Sequence, residues 1–213
     1  AHRAYLDDGD RNAAIRCAFW LSFVLGEMGV TVRARAWVER LFALCAQTAE
    51  GGGEAEALAL LCRTVAADAA GDSAQAIALA EEALGRATAA HAADVVVLAT
   101  MRLGLALVHD GRYEEAFARF DDVMLSIAAG VVSDRASGPA YCAVVASCLA
   151  RGDLERAAAW TRHLSDWCDA QVGLLPFRGE CTVHRAALLD LGGEWDEAIA
   201  LLGEVVDHER RAE

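Results

Sequence analysis

Cys181 and His184 stand three residues apart and share one face of a helix, while Cys168 ends the apolar-periodic segment before it. Three side chains of these types could ligate zinc, because thiolate and imidazole are its preferred donors. A closed site needs a fourth ligand, and none is evident. Cysteine and histidine inside packed helices serve more commonly as a buried thiol and a hydrogen-bonded imidazole, so the reading is core and no metal. The richest concentration of groups able to contact a ligand or partner is Tyr141, Trp160, Trp167, Phe177, Arg178, His184 and Arg185. Trp160 and Trp167 are seven apart on one helical face, a spacing at which indoles fill the gap between stacked helices. Arg178 and Arg185 differ in kind, since arginine is rarely buried unpaired; they either line a groove for an acidic group or pair with Glu180 and Asp169.

Signals for catalysis are absent from the sequence. There is no G-x-S-x-G elbow and no H-E-x-x-H pair, and Asp121-Asp122 is followed by Val123-Met124-Leu125, which removes the distal carboxylate of a D-D-x-x-D motif. Glu81-Glu82 and Glu114-Glu115 read as solvent-facing charge. All nineteen basic residues are arginine, which excludes a Walker-type lysine loop and Schiff-base chemistry. A formal net charge of -13 opposes direct binding to a nucleic-acid backbone. The seven cysteines, Cys17, Cys45, Cys62, Cys142, Cys148, Cys168 and Cys181, form no C-x-x-C pair and mostly fall in apolar helical stretches. Reduced, buried thiols of this sort point to the cytoplasm. No run reaches the roughly 18 apolar residues of a membrane span, and no cofactor is implied. The start at Ala1 and the short helical stretch Ala4 to Asp8 suggest a piece of something longer with an upstream repeat.

The elements that would position these residues repeat. Gly29, Gly71, Gly111, Gly152 and Gly193 are spaced 42, 40, 41 and 41 residues apart, and each ends one apolar-periodic segment. Five positions after each stands an alanine, at 34, 76, 116, 157 and 198, and Gly9 with Ala14 repeats the pairing. Glycine suits the left-handed residue that closes a helix, Asp72 and Asp153 suit the cap of the next, and alanine lets the paired helices approach. The 3.6-residue periodicity predicts hairpins of 11-27 with 31-47, 54-69 with 73-89, 92-109 with 113-128, 136-150 with 154-170, and 177-191 with 195-210. The valines at 95 to 97 lie inside the third of these and read as helix. Gly51, Gly52 and Gly53 read as a linker, as does Ala129 to Gly138, and Pro139 and Pro176 are expected to precede or open helices. The predicted fold is all-α: a single domain over 1-213, a tetratricopeptide (TPR)-like right-handed superhelix of about five hairpins, stacked because one pair cannot bury its own apolar face.

Several strings resemble the C-terminal helical-repeat region of actinobacterial LuxR-type, MalT-like transcriptional regulators. They are Ala18-Phe19-Trp20-Leu21, Tyr141-Cys142-Ala143-Val144, Arg156-Ala157-Ala158-Ala159-Trp160-Thr161, Trp167-Cys168-Asp169-Ala170-Gln171, Pro176-Phe177-Arg178-Gly179-Glu180-Cys181 and Val183-His184-Arg185. The resemblance implies a regulatory sensor segment that binds a protein partner or small-molecule inducer and takes part in self-association. The upstream nucleotide-binding switch domain and downstream helix-turn-helix of that group are not in this sequence. The alternative is a stand-alone assembly scaffold or small-molecule-binding repeat protein, with a homo-oligomer as one outcome.

Overall fold

The computed structural model describes residues 1–47, 53–170 and 175–212, and within these the side chains of all but Glu27, 168–170, 175–181, 204–205 and 207–212. The linker expectation at Gly51 and Gly52 lies outside the described residues. The described chain is helical throughout, with no strand, in the order α1 (His2–Asp7), α2 (Arg11–Glu27), α3 (Thr31–Ala46), α4 (Gly53–Ala69), α5 (Ser73–Ala89), α6 (Ala93–His109), α7 (Tyr113–Ala128), α8 (Asp134–Arg151), α9 (Leu154–Ala170), α10 (Leu175–Gly192) and α11 (Trp195–Ala212).

One local hydrogen-bond pattern explains the fixed spacing of glycine and alanine. Gly71, in the left-handed region at φ 78°, lets the N–H of Asp72 reach back to the Ala67 carbonyl at 3.0 Å and close α4. The Asp72 carbonyl then accepts the N–H of Ala76 at 2.9 Å, which opens α5. A single residue thus closes one helix and starts the next, and the amide it receives is that of the alanine five places after the glycine. The same pair of bonds recurs after Gly9, Gly29, Gly111, Gly152 and Gly193, all with positive φ. Asp72 also caps α5, its carboxylate accepting the Gln75 N–H at 3.0 Å. Between α5 and α6 the same turn is built without glycine: His91 takes φ 52°, and the Ala92 N–H reaches the Ala87 carbonyl at 3.0 Å.

The chain divides into two compact units, Ala1–Ser126 and Ile127–Glu213. In the first, α4, α5 and α6 pack through Ala67, Ala76, Ile77, Ala80, Leu103, Ala106 and Leu107, joined by Ala116 of α7. Gly104 of α6 lies so close to α7 that a Cβ there would fall 2.5 Å from Cε1 of the fully buried Phe120. Val95 and Val97 are buried in α6 as helical core. Polar side-chain pairs edge the stack: Arg16 with Glu54 at 3.0 Å, His109 with Asp68 at 2.6 Å, and Arg86 with both Glu56 and Glu82.

In the second unit α8 packs on α9 and α10, and α10 on α11, around Val144, Val145, Cys148, Ala157, Leu164, Ala186 and Ala198. One expectation needs correcting here. The segment Ala129 to Gly138 is not all linker, because α8 starts at Asp134 and carries Pro139 inside it. Burial explains the extension, since Ala136, Ser137, Gly138, Pro139, Ala140 and Tyr141 are all buried, and the contacts outweigh the backbone bond that proline forfeits. Pro176 opens α10 as expected.

Candidate functional site

The aromatic and basic set singled out in the sequence falls in the second unit, and the structure relates only part of it. Tyr141 is buried on α8, and Trp167 on α9 lies 6.0 Å from it between ring centroids, with an interplanar angle of 42°. The Trp167 indole N–H donates to Asp134 Oδ1 at 3.3 Å, so this ring ties the C-terminal part of α9 to the start of α8. Trp160 turns elsewhere, its ring 5.4 Å from His163 one turn along α9. His184 is half-buried and Arg185 is exposed, both on α10. The side chains of Phe177, Arg178, Cys168 and Cys181 lie outside the described residues. Among the described residues no three His, Cys, Asp or Glu side chains gather as a metal ion would require. The described cysteines, Cys17, Cys45, Cys62, Cys142 and Cys148, form no disulfide.

A site that the sequence did not announce lies in the first unit, on the first helices of three consecutive hairpins. A cavity of about 240 Å³ is walled by Phe19 and Phe23 of α2, Leu61 and Val65 of α4, and Leu98 and Met101 of α6, with Val38 of α3 closing one side. Phe19, Leu61, Leu98 and Met101 are buried core residues. Val65 is 42% exposed and marks the mouth, together with Gly26 and Arg35.

The space exists because small residues stand where large ones would fill it. Gly26 has ordinary helical geometry and a Cβ built on it meets nothing within 4 Å. Ala34 is only half-buried here, whereas its counterparts Ala76, Ala116 and Ala157 are fully buried.

The polar groups of the cavity are few. Ser22 turns its hydroxyl back to the Phe19 carbonyl at 2.7 Å, which uses its one donor. Cys62 also contributes to the wall; burial pushes its thiol up to about 12, Cys45 adds to the effect, and the charge of Arg102 opposes it. The thiol therefore stays protonated and behaves as a small apolar group. Among the described side chains of the lining, Arg35 and Arg102 are the ionised residues and none is a carboxylate. Chemically the arrangement can receive a compact apolar body; it offers no nucleophile with a base beside it. A second hollow, between α1 and α3, is lined by His2, Arg3, Leu6, Asp7, Ala36, Trp37 and Arg40, where mixed charges define no one ligand class.

Sequence reasoning missed the cavity because each wall residue looks like ordinary helix core. The available signal was Gly26, a glycine inside a helix that no backbone angle demands.

No family model matches the chain, and no curated protein does. Among solved structures it is similar to a kinesin light chain of Podosopora anserina with nearly identical TPR-like repeats, at 17% identity and TM-score 0.59, over 93% of this chain and 96% of that one. A substituted form of the same protein gives 17% identity and TM-score 0.61, over 93% of this chain and 95% of that one. No helix among the described residues is long and apolar enough to cross a membrane. The helix order, the glycine turns and these neighbours agree on one conclusion: the fold is an all-α, TPR-like helical repeat.

Proposed function

We propose that this chain is a non-catalytic binding module that holds a protein partner or a small-molecule inducer, and that it serves as the sensor segment of a LuxR-type, MalT-like transcriptional regulator in the cytoplasm. The observation that supports this most is the apolar cavity formed jointly by α2, α3, α4 and α6, since repeat proteins bind along faces built by successive hairpins. The regulator context rests on the sequence strings from Tyr141 to Arg185. In this reading the five hairpins act as one domain over 1–213, and Tyr141, Trp160, Trp167, Phe177, Arg178, His184 and Arg185 form a second contact surface. Native mass spectrometry of the purified chain tests it: a retained small molecule or a stable complex is expected. Turnover of a substrate, or a bare monomer at every concentration with no ligand retained, refutes it.

A scaffold that self-associates is favoured by a separate observation. Trp195, Ile199, Leu202 and Val206 form a stripe along α11 and are between 41% and 69% exposed. Three hairpins earlier, the matching Ile77 and Ala80 of α5 are buried in the cluster shared with Leu103 and Leu107 of α6. The α11 stripe has the form that a neighbouring helix covers, and a second copy can supply one. Light scattering across concentration should show a dimer that Ile199→Asp disperses; concentration-independent monomers sink this reading.

A further inference from the structure

We propose that the α2–α3–α4–α6 cavity is a receptor site for a compact amphipathic carboxylic acid of about ten non-hydrogen atoms, its apolar body in the cavity and its carboxylate at the arginines of the mouth. The inference rests on the reading above of this face as a receptor, and adds the chemistry of the ligand.

Size comes first. A dry cavity of roughly 150 Å³ holds a benzene ring, so 240 Å³ takes a body about half as large again. Nucleotides and oligosaccharides are too large and too polar for such walls, where drug-sized sites need ~300 Å³ or more. Composition comes second. Phe19, Phe23, Leu61, Val65, Leu98 and Met101 offer no polar atom in their side chains, the Ser22 hydroxyl is already donated to the Phe19 carbonyl, and the Cys62 thiol stays neutral. Hydrogen-bond acceptors inside the ligand's body would therefore find no strong donor.

Charge comes third. The chain has 32 acidic residues against 19 basic ones, yet among the described side chains the lining contains two arginines and no carboxylate. Arg35 stands at the mouth, 84% exposed, with one long contact of 3.4 Å to Glu39, an exposed pair that a ligand carboxylate can displace. Arg102 lines the cavity from α6, close enough for its charge to act on the Cys62 thiol. Guanidinium groups accept carboxylates in a two-bond fork, which makes them suited to an acid head.

The test titrates the full chain by calorimetry with octanoate, octan-1-ol and octylammonium, which share one apolar body and differ in head charge. Octanoate should bind about threefold to fivefold tighter than octan-1-ol, and by more than octylammonium, the ratio expected of an ion pair at a largely exposed arginine. Arg35→Gln with Arg102→Gln should bring octanoate down to the level of octan-1-ol. Val65→Trp, at an exposed rim position, should abolish both, and Gly26→Leu should weaken both without disturbing the helix. Octan-1-ol binding as tightly as octanoate, both lost in Val65→Trp, overturns the acid and leaves the receptor reading standing. No binding by any of the three, or octanoate binding unchanged by Val65→Trp, overturns the site itself. Tighter binding by N-acetylphenylalanine amide than by octanoate assigns the cavity to a peptide side chain and also overturns the proposal.

Discussion

Replacing Gly104 with alanine puts the close approach of α6 and α7 to a direct test. Alanine is the better helix former by ~1 kcal/mol, so an unhindered helical glycine gains stability when replaced. At Gly104 the new methyl would stand 2.5 Å from Phe120 Cε1, 2.9 Å from Cδ1 and 3.2 Å from Cζ. Relief needs a movement of about 1 Å to reach ordinary contact, and the ring is 0% exposed with Phe117 packed at 5.5 Å edge-on. Overpacking of this kind costs about 1–3 kcal/mol, and the size of the overlap puts it at the upper end. Subtracting the helix gain leaves a net loss of ~2 kcal/mol, or about 4–8 °C in Tm for a chain of this length. Gly85→Ala is the control: its Cβ meets nothing within 4 Å, so it should gain up to ~1 kcal/mol. In a Phe120→Leu background the cost of Gly104→Ala should shrink, since the clashing ring is gone. Urea and thermal unfolding of the wild type and these four variants measure all of this. Gly104→Ala matching Gly85→Ala in sign and size would show that the helices do not meet through this glycine, and the packing argument fails.

Asp72→Ala removes the cap on α5 and should cost about 1 kcal/mol in urea unfolding, while a change below ~0.3 kcal/mol would deny the cap a role. His91→Gly relieves a non-glycine residue at φ 52° and should stabilise the chain by ~0.5–1 kcal/mol; a loss would mean that the imidazole contributes more than the strain costs. The Cys62 thiol, pushed up to about 12 by burial, binds its proton more tightly folded than unfolded, so it favours the fold below the ordinary thiol range and loses that contribution as pH rises towards 12. The stability gap between the wild type and Cys62→Ala should therefore narrow above about pH 9, and a gap independent of pH contradicts it. Hydrogen bonds from Arg112 at 2.7 and 2.6 Å hold the exposed Glu115 carboxyl below its ordinary value, a contribution present above the usual carboxylate range and lost as pH falls through the lowered value. Arg112→Gln should return the Glu115 midpoint upward in an NMR titration, and an unmoved midpoint disposes of the pairing.

The helices were legible because two independent signals coincided. Apolar periodicity located each segment, and the glycine with its alanine five places on fixed where one helix hands over to the next, a spacing the Asp72 bonds explain atom by atom. The surface acids also read correctly: Glu82 and Glu115 are exposed and pair with Arg86 and Arg112. Where one signal was missing the reading slipped. Gly138 and Pro139 carry local turn chemistry, and only burial by neighbours distant in sequence draws them into α8. The turn at His91 has no glycine to mark it, so its left-handed residue could not be read from type. The candidate site was the least legible part. The sequence shows aromatic and basic residues near one another but not which ring meets which, and it joined Trp160 to Trp167 by spacing alone. In the structure Trp167 turns to Tyr141 and Asp134 while Trp160 turns to His163.

Repetition and binding make opposite demands on this fold. A repeat is stable when every position is filled alike, which Ala76, Ala116 and Ala157 achieve by being fully buried at the same place in successive hairpins. A cavity requires one repeat to depart from that filling without losing its turns. The first hairpin does so: Gly29 and the Val30 carbonyl start α3 in the same way as Gly71 and Asp72 start α5, yet Ala34 is left half-covered and Gly26 contributes no side chain. The backbone device is kept and only the filling changes, so the cavity is held by helices that remain firmly closed at their ends. A side chain placed at Gly26 should then stabilise the chain while weakening its ligand, because the glycine meets no contact that a Cβ would break and gives up ~1 kcal/mol of helix propensity. That combination, a stabler chain that binds less, separates a site kept open for use from a packing defect of no consequence, in which filling would change stability alone.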